Sequence, residues 1–194
     1  MTVDSKHGGN SYDFLLDTYY IKMTPSDIFK LISNFFLLFL VQIFFFKFGI
    51  FGVAFCFPYL FFLLLLPMST PKGLLLMVGF GYGLLIDVFF DSPGLHAAAC
   101  TLLSYLRPNV ISAITPAGGY DEYTPISVHI LGFRWVVSYT LLLIGAHHFM
   151  LFFLEAFTFM HFFLTLMKII FSTLLTSFLF ILMQYMISSK KLAK

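Results

Sequence analysis

The sequence predicts an all-α integral membrane protein, a bundle of six transmembrane helices, and three observations carry that prediction. Hydrophobic residues make up 60% of the 194 residues against 10% charged, with a mean hydropathy of +0.95. Apolar runs recur at the ~20-residue length that crosses a bilayer. Gly, Pro or charged residues separate them. This composition excludes a soluble globule, and 194 residues leave no room for a second large domain.

Taken in order, the predicted spans are residues 28–46, 48–66, 73–90, 94–112, 133–154 and 162–187. Lys47 to Gly49 breaks the first pair, Pro67-Met-Ser-Thr-Pro71-Lys-Gly the second, and Asp91-Ser-Pro-Gly the third, while a longer polar stretch from Thr115 to His129 precedes the fifth span. Residues 1–27 form a polar N-terminal arm, 28–187 the six-helix domain and 188–194 a basic tail. Within the arm, Phe14, Leu15, Leu16, Tyr19, Tyr20 and Ile21 mix with Asp13, Asp17 and Lys22, which suits either a short interfacial helix or a free arm. The polar, mixed charge of residues 1–22 predicts no cleavable signal peptide.

Six spans place both termini on one side. Lys6, Lys22, Lys30, Lys72, Arg107, Arg134, Lys190, Lys191 and Lys194 fall on that side, and only Lys47 and Lys168 on the other, so the positive-inside rule makes both termini cytoplasmic. The Asp91-Ser-Pro-Gly turn is then extracytoplasmic. A net charge of +2 leaves no basic tract for nucleic acid. The 28 Phe residues pack against lipid and helices without offering a hydrogen bond to a substrate. Cys56 and Cys100 lie inside apolar runs and read as small hydrophobes filling packing gaps.

Asp87 is the most informative residue, because a carboxylate inside an apolar span is costly and marks a function or a necessary partner. It precedes a polar turn, Asp91-Ser92-Pro93-Gly94, and His96. Ser92 is a good N-cap and Pro93 suits the first helical position, so the fourth span is expected to start there, with Gly94 allowing close backbone approach. Asp87 and His96 then form either a proton-exchanging pair or a hydrogen bond that locks the hairpin; the lack of further polar partners at that depth favours the lock. Gly79-x-Gly81-x-Gly83 lies within a span and reads as a close helix contact.

A second polar group, His147, His148, Glu155 and His161, has the residue types of a metal site but not the spacing. Adjacent helical residues point about 100° apart, so His147 and His148 do not both face one ion. Hydrogen bonds between the fifth and sixth spans, and a Glu155 to Lys168 pair, are expected instead. Gly-x-Ser-x-Gly, His-Glu-x-x-His and phosphate-cradling patterns are absent from the sequence, so no catalytic residue, metal or cofactor is assigned.

The ordered motifs Gly83-Leu-Leu-Ile-Asp87, Ser92-Pro-Gly-Leu-His96-Ala-Ala and Leu103-Ser-Tyr-Leu-Arg107-Pro, the last read as a helix exit, resemble the MreD family of bacterial rod shape-determining membrane proteins. The sharp likeness covers Pro67 to Pro108. Beyond it, the His147-His148 and Leu154-Glu155-Ala156-Phe157 stretches agree, while the long polar arm departs from compact members. The resemblance implies a non-catalytic component of the cell-elongation (rod) complex in the cytoplasmic membrane. It would bind MreC and connect MreB filaments indirectly to RodA and its transpeptidase in lateral peptidoglycan synthesis. It also implies a fold like that of the substrate-binding subunits of energy-coupling-factor vitamin transporters. Asp87, Ser92, Pro93, Gly94, His96 and Arg107 are the residues expected to shape the hairpin or meet a partner. The alternative is a small-molecule-binding or transport subunit with an intramembrane cavity, for which Gln42, Ser138, Thr140 and Gln184 are the inward polar candidates.

Overall fold

The structure is a computed structural model that describes residues 25–45, 49–50, 52–120, 124–157 and 161–192. The arm segment 12–23, Lys47 and the acidic pair at 121–122 lie outside the described residues. Helix α1 covers Pro25–Phe45, followed by strands β1 (Gly49–Ile50) and β2 (Ala54–Phe55) and a short helix α2 (Leu60–Leu65). Helices α3 (Lys72–Phe90), α4 (Leu95–Ile114), α5 (Val128–Leu131), α6 (Phe133–Ala156) and α7 (Phe162–Leu192) complete the order.

Five of the six predicted segments are long helices, and α3, α4 and α6 start and end within about two residues of expectation. Helices α3, α6 and α7 are long and apolar enough to cross a membrane, with a shorter apolar stretch over Ile28–Phe44 of α1. Their outer faces carry large exposed apolar side chains, among them Phe36, Leu40, Met77, Val88, Phe149, Phe163 and Phe178. Exposure of that kind on every long face is what lipid, and not water, accepts. Buried positions on α7 are instead mostly polar, Thr165, Ser172, Thr173, Thr176, Ser177 and Gln184, at helical spacing with Ile169 and Phe180.

Segment 48–66 differs from expectation: it is not one helix but a hairpin and a short helix. Gly49 pairs with Phe55 and Ile50 with Ala54 in antiparallel register, and Gly52 takes φ +70 in the turn. Pro58 follows, and Leu66, which precedes Pro67, takes ψ 146, so the helix ends where proline disfavours helical backbone in its neighbour. Hydropathy records that this segment is buried; its glycines and prolines record that it is irregular. Tyr59, Leu60, Leu63 and Leu64 are fully buried, so the segment runs through the middle of the bundle.

Irregular backbone in an apolar interior must find partners from side chains. On the hairpin side, Ser172 Oγ accepts from the Phe55 N–H at 2.9 Å. Thr176 Oγ1 accepts from the Phe57 N–H and donates to the Phe55 carbonyl, both at 3.4 Å. The amide oxygen of Gln42 accepts from the Tyr59 N–H at 3.5 Å. Polar residues of α1 and α7 thus do for this stretch what a helix does for itself.

Helices α3 and α4 form the tightest pair. A Cβ at Gly83 would lie 2.5 Å from the His96 carbonyl oxygen and 2.6 Å from Ala97 Cα, and one at Gly79 would run into Ser104 Oγ. Gly81, on the opposite face, has nothing within 4 Å of such a Cβ. The i, i+4 spacing of Gly79 and Gly83 therefore makes the contact, as small-residue pairs do between membrane helices. Replacing Gly83 with Val is expected to cost about 2 kcal/mol or more through forced separation of the helices, whereas Gly81→Ala leaves stability unchanged or slightly raised. Thermal unfolding of the two variants in detergent separates the cases.

Candidate functional site: the acidic turn and the histidine network

Asp87 is buried on the last turn of α3, and its carboxylate is occupied by its own chain. Oδ1 accepts from the Ser92 hydroxyl at 2.5 Å and from the His96 backbone N–H at 2.9 Å; Oδ2 accepts from the Ala97 backbone N–H at 2.8 Å. Those N–H groups belong to the first turn of α4, which has no partners within its own helix. A carboxylate there also meets the positive end of the helix dipole. Asp87 is thus the cap of the following helix, supplied from the preceding one.

This arrangement corrects the expected cap. Helix α4 begins at Leu95, with Gly94 at the N-cap position, φ +82, and no side-chain cap of its own. Ser92 points back to Asp87, and Pro93 is exposed one residue ahead of the cap. The left-handed backbone at Gly94 suits glycine, and Asp91 adopts a left-handed φ of 51 to end α3. With Asp91 and Gly94 both left-handed, the chain reverses within four residues and presents two N–H groups to Asp87.

His96 is correspondingly not Asp87's side-chain partner. Only its backbone meets the carboxylate, so the proton-exchanging pair does not form and the lock forms through the main chain. The His96 ring joins a different group: Tyr59 Oη lies 3.0 Å from His96 Nδ1 and 2.8 Å from His147 Nε2. The Cys100 thiol sits 3.9 Å from the same hydroxyl and 3.8 Å from His147 Nε2. Tyr59, which the sequence reading passed over, is the hub; its one visible signal is a phenol directly after Pro58 inside an apolar run.

His147 and His148 diverge, as their adjacent positions on α6 require. His148 Nδ1 meets Thr173 Oγ1 of α7 at 3.1 Å, so one of the pair links α6 to α7 while the other turns to Tyr59. Glu155 is exposed and forms no ion pair with Lys168 among the described residues. The Lys168 ammonium instead lies over the rings of Phe55 and Phe152, 5.7 and 5.9 Å from their centroids. No three His, Cys, Asp or Glu residues among the described ones are placed to hold a metal ion.

Arg107, counted above among the inner-side basic residues and among the hairpin-shaping or partner-binding candidates, is buried. It is only 1% exposed, its Nε donates to Tyr139 Oη at 2.7 Å, and its terminal nitrogens donate to the carbonyls of Leu66 and, at 3.4 Å, Pro67. Tyr139 in turn donates to the Leu64 carbonyl at 3.0 Å. A guanidinium fork and a phenol together satisfy the open end of α2. The helix does not exit at Arg107-Pro108 but continues through Pro108 to Ile114.

Of the other inward polar candidates, Gln184 binds the Ile126 carbonyl at 3.0 Å and Thr140 bonds within α6, whereas Ser138 faces outward. Gly118 and Gly119, with φ of 111 and 70, form a turn after α4. No protein family, characterised protein or solved structure matches this chain.

Asp87→Asn keeps one oxygen but turns an amide NH2 toward a backbone N–H. It is expected to lower stability by about 1–3 kcal/mol, more than Ser92→Ala, which loses one hydroxyl donor. Arg107→Lys is expected to destabilise more than either, since a single ammonium does not span the fork's acceptors and leaves buried carbonyls unpaired. Unfolding midpoints in one detergent rank the three.

Proposed function

We propose that the chain is a non-catalytic scaffold of the rod complex, a MreD-like protein of the bacterial cytoplasmic membrane that binds MreC. Through MreC it would support MreB-guided lateral wall synthesis by RodA and its transpeptidase. The observation that carries this reading is the use made of Asp87 and Arg107. Both ionisable groups spend their hydrogen bonds within their own chain, Asp87 on Ser92 and the backbone at the start of α4, Arg107 on Tyr139 and the backbone at the end of α2. Groups so engaged shape a surface and are not poised to attack or protonate a substrate. Both lie within the segment whose motifs resemble the family.

In this reading the chain crosses six times with both termini inside, and the second crossing is the broken segment of hairpin and α2. The outer turn, with Ser92, Pro93 and Gly94, then faces the compartment in which the bulk of a bitopic MreC lies. Co-purification in mild detergent tests the proposal: the chain is expected to retain MreC, and Asp87→Leu, which frees the start of α4, to retain less than a tenth as much. Loss of MreC from the unaltered chain counts against the scaffold.

A second reading, a small-molecule-binding subunit, has one observation in its favour. A cavity of about 260 Å³ lies between α1, the hairpin, the acidic turn and α6.

A further inference from the structure

The cavity is walled by phenylalanines, Phe55, Phe57 and Phe152 among them, with the exposed Glu155 at its edge and two buried polar residues in its lining, Gln42 and His96. Gln42 is 1% and His96 6% exposed, and neither is saturated by the fold. The Gln42 oxygen accepts from the Tyr59 N–H, which leaves its NH2 as a donor without a partner among the described residues. His96 uses Nδ1 toward Tyr59 and has no partner for Nε2 among the described residues.

The protonation of His96 follows from its neighbours. His147 Nδ1 is buried with no partner among the described residues. An orphaned N–H costs more than an orphaned lone pair, so a neutral His147 carries its proton on Nε2, facing Tyr59. Tyr59 Oη accepts that proton's hydrogen bond and has one O–H left to give, to His96 Nδ1. A neutral His96 with an accepting Nδ1 bears its proton on Nε2. The lining therefore holds two unused donors, His96 Nε2–H and the Gln42 amide, among aromatic walls.

We propose that this cavity binds a small amphipath whose apolar body packs on the phenylalanines and whose buried end is a hydrogen-bond-accepting oxygen, such as a carbonyl. A volume somewhat below the ~300 Å³ at the lower end of ligand pockets limits the occupant to a ring with a short chain, or to the end of a longer amphipath. Buried donors discriminate strongly against a ligand that offers only donors, because both partners are then left unpaired. The inference rests on the second reading above and adds the chemistry of its ligand.

The probes are 4-(4-fluorophenyl)butanamide and 4-(4-fluorophenyl)butylammonium, titrated into the purified full chain in detergent and followed by ¹⁹F NMR. In the Glu155→Gln chain, which removes the carboxylate that the cavity would offer to a cation, the amide is expected to bind at least tenfold more tightly than the ammonium. Gln42→Glu keeps an oxygen for the Tyr59 N–H while turning the free donor into an acceptor, and is expected to weaken the amide fivefold or more. Cys56→Leu narrows the cavity without touching either donor and is expected to weaken both probes.

Equal binding of the two probes in the Glu155→Gln chain, or an unchanged amide affinity in Gln42→Glu, overturns the donor assignment. If Cys56→Leu still weakens both in that case, the cavity remains a ligand site of other chemistry; if it does not, the small-molecule reading falls as well. Should Gln42→Glu fail to fold, the ¹⁵N spectrum of labelled histidine in the unaltered chain decides: His96 protonated at Nε2 supports the proposal, and protonated at Nδ1 overturns it.

Discussion

Backbone that leaves regular structure inside an apolar layer has to be hydrogen-bonded by something, and in this protein that requirement organises the bundle. Segment 49–67 departs from helix at Gly49, Gly52, Pro58 and Pro67, and from Phe55 to Pro67 it turns to side chains for backbone partners that its own ladder does not supply. Ser172 and Thr176 of α7, Gln42 of α1, Arg107 of α4 and Tyr139 of α6 supply those partners. Four helices are thereby pinned to one irregular strand of chain. These polar side chains point inward for that reason, beside buried Leu103, Leu143, Phe152 and Phe180, while other phenylalanines and leucines of the same helices face outward.

The same logic works at smaller scale in the acidic turn. A helix whose first turn is buried, as at His96 and Ala97, needs protein acceptors for its first N–H groups. Asp87 provides two acceptor oxygens from across the hairpin, which ties the end of α3 to the start of α4. The close approach this requires is permitted by Gly83, whose missing Cβ admits the His96 carbonyl and Ala97. Asp87 and Gly83 lie one turn apart on α3, so the motif Gly83-Leu-Leu-Ile-Asp87 is a single device: room, then acceptor. Intervening Leu84 and Leu85 face partly outward and carry no such constraint.

Much of this was legible in the sequence, and the parts that were not share a cause. Spans at α3, α4, α6 and α7 follow from hydropathy and from Pro, Gly and charge at their ends. The importance of Asp87 follows from the cost of an intramembrane carboxylate. Divergence of His147 and His148 follows from helix geometry. Hydropathy failed at 48–66 because it measures how a residue partitions and not how the backbone runs; the helix-breaking residues held that information. Ser92 was the better cap by propensity, yet Gly94 took the position because a carboxylate from the neighbouring helix outbids a hydroxyl of the turn. Arg107 reads as a surface charge in a linear sequence, since nothing local shows that the open end of α2 folds against it. Tyr59 and Tyr139 were hidden for the same reason: their partners lie 32 to 88 residues away.

The polar contacts also form one connected path. Asp87 holds the backbone of His96, the ring of His96 meets Tyr59, and Tyr59 opens the short helix α2, whose far end is held by Arg107 and Tyr139. The bonds that are made along such a path rigidify what they join, because in a low-dielectric interior breaking any one of them leaves a group with no alternative partner. The loss of one such bond, about 1–3 kcal/mol, is a large fraction of the ~5–15 kcal/mol that holds a domain together. Two ionisable residues at opposite ends of this path therefore act on one element, α2, from its two sides. That arrangement stiffens the bundle between its acidic turn and its proline turn.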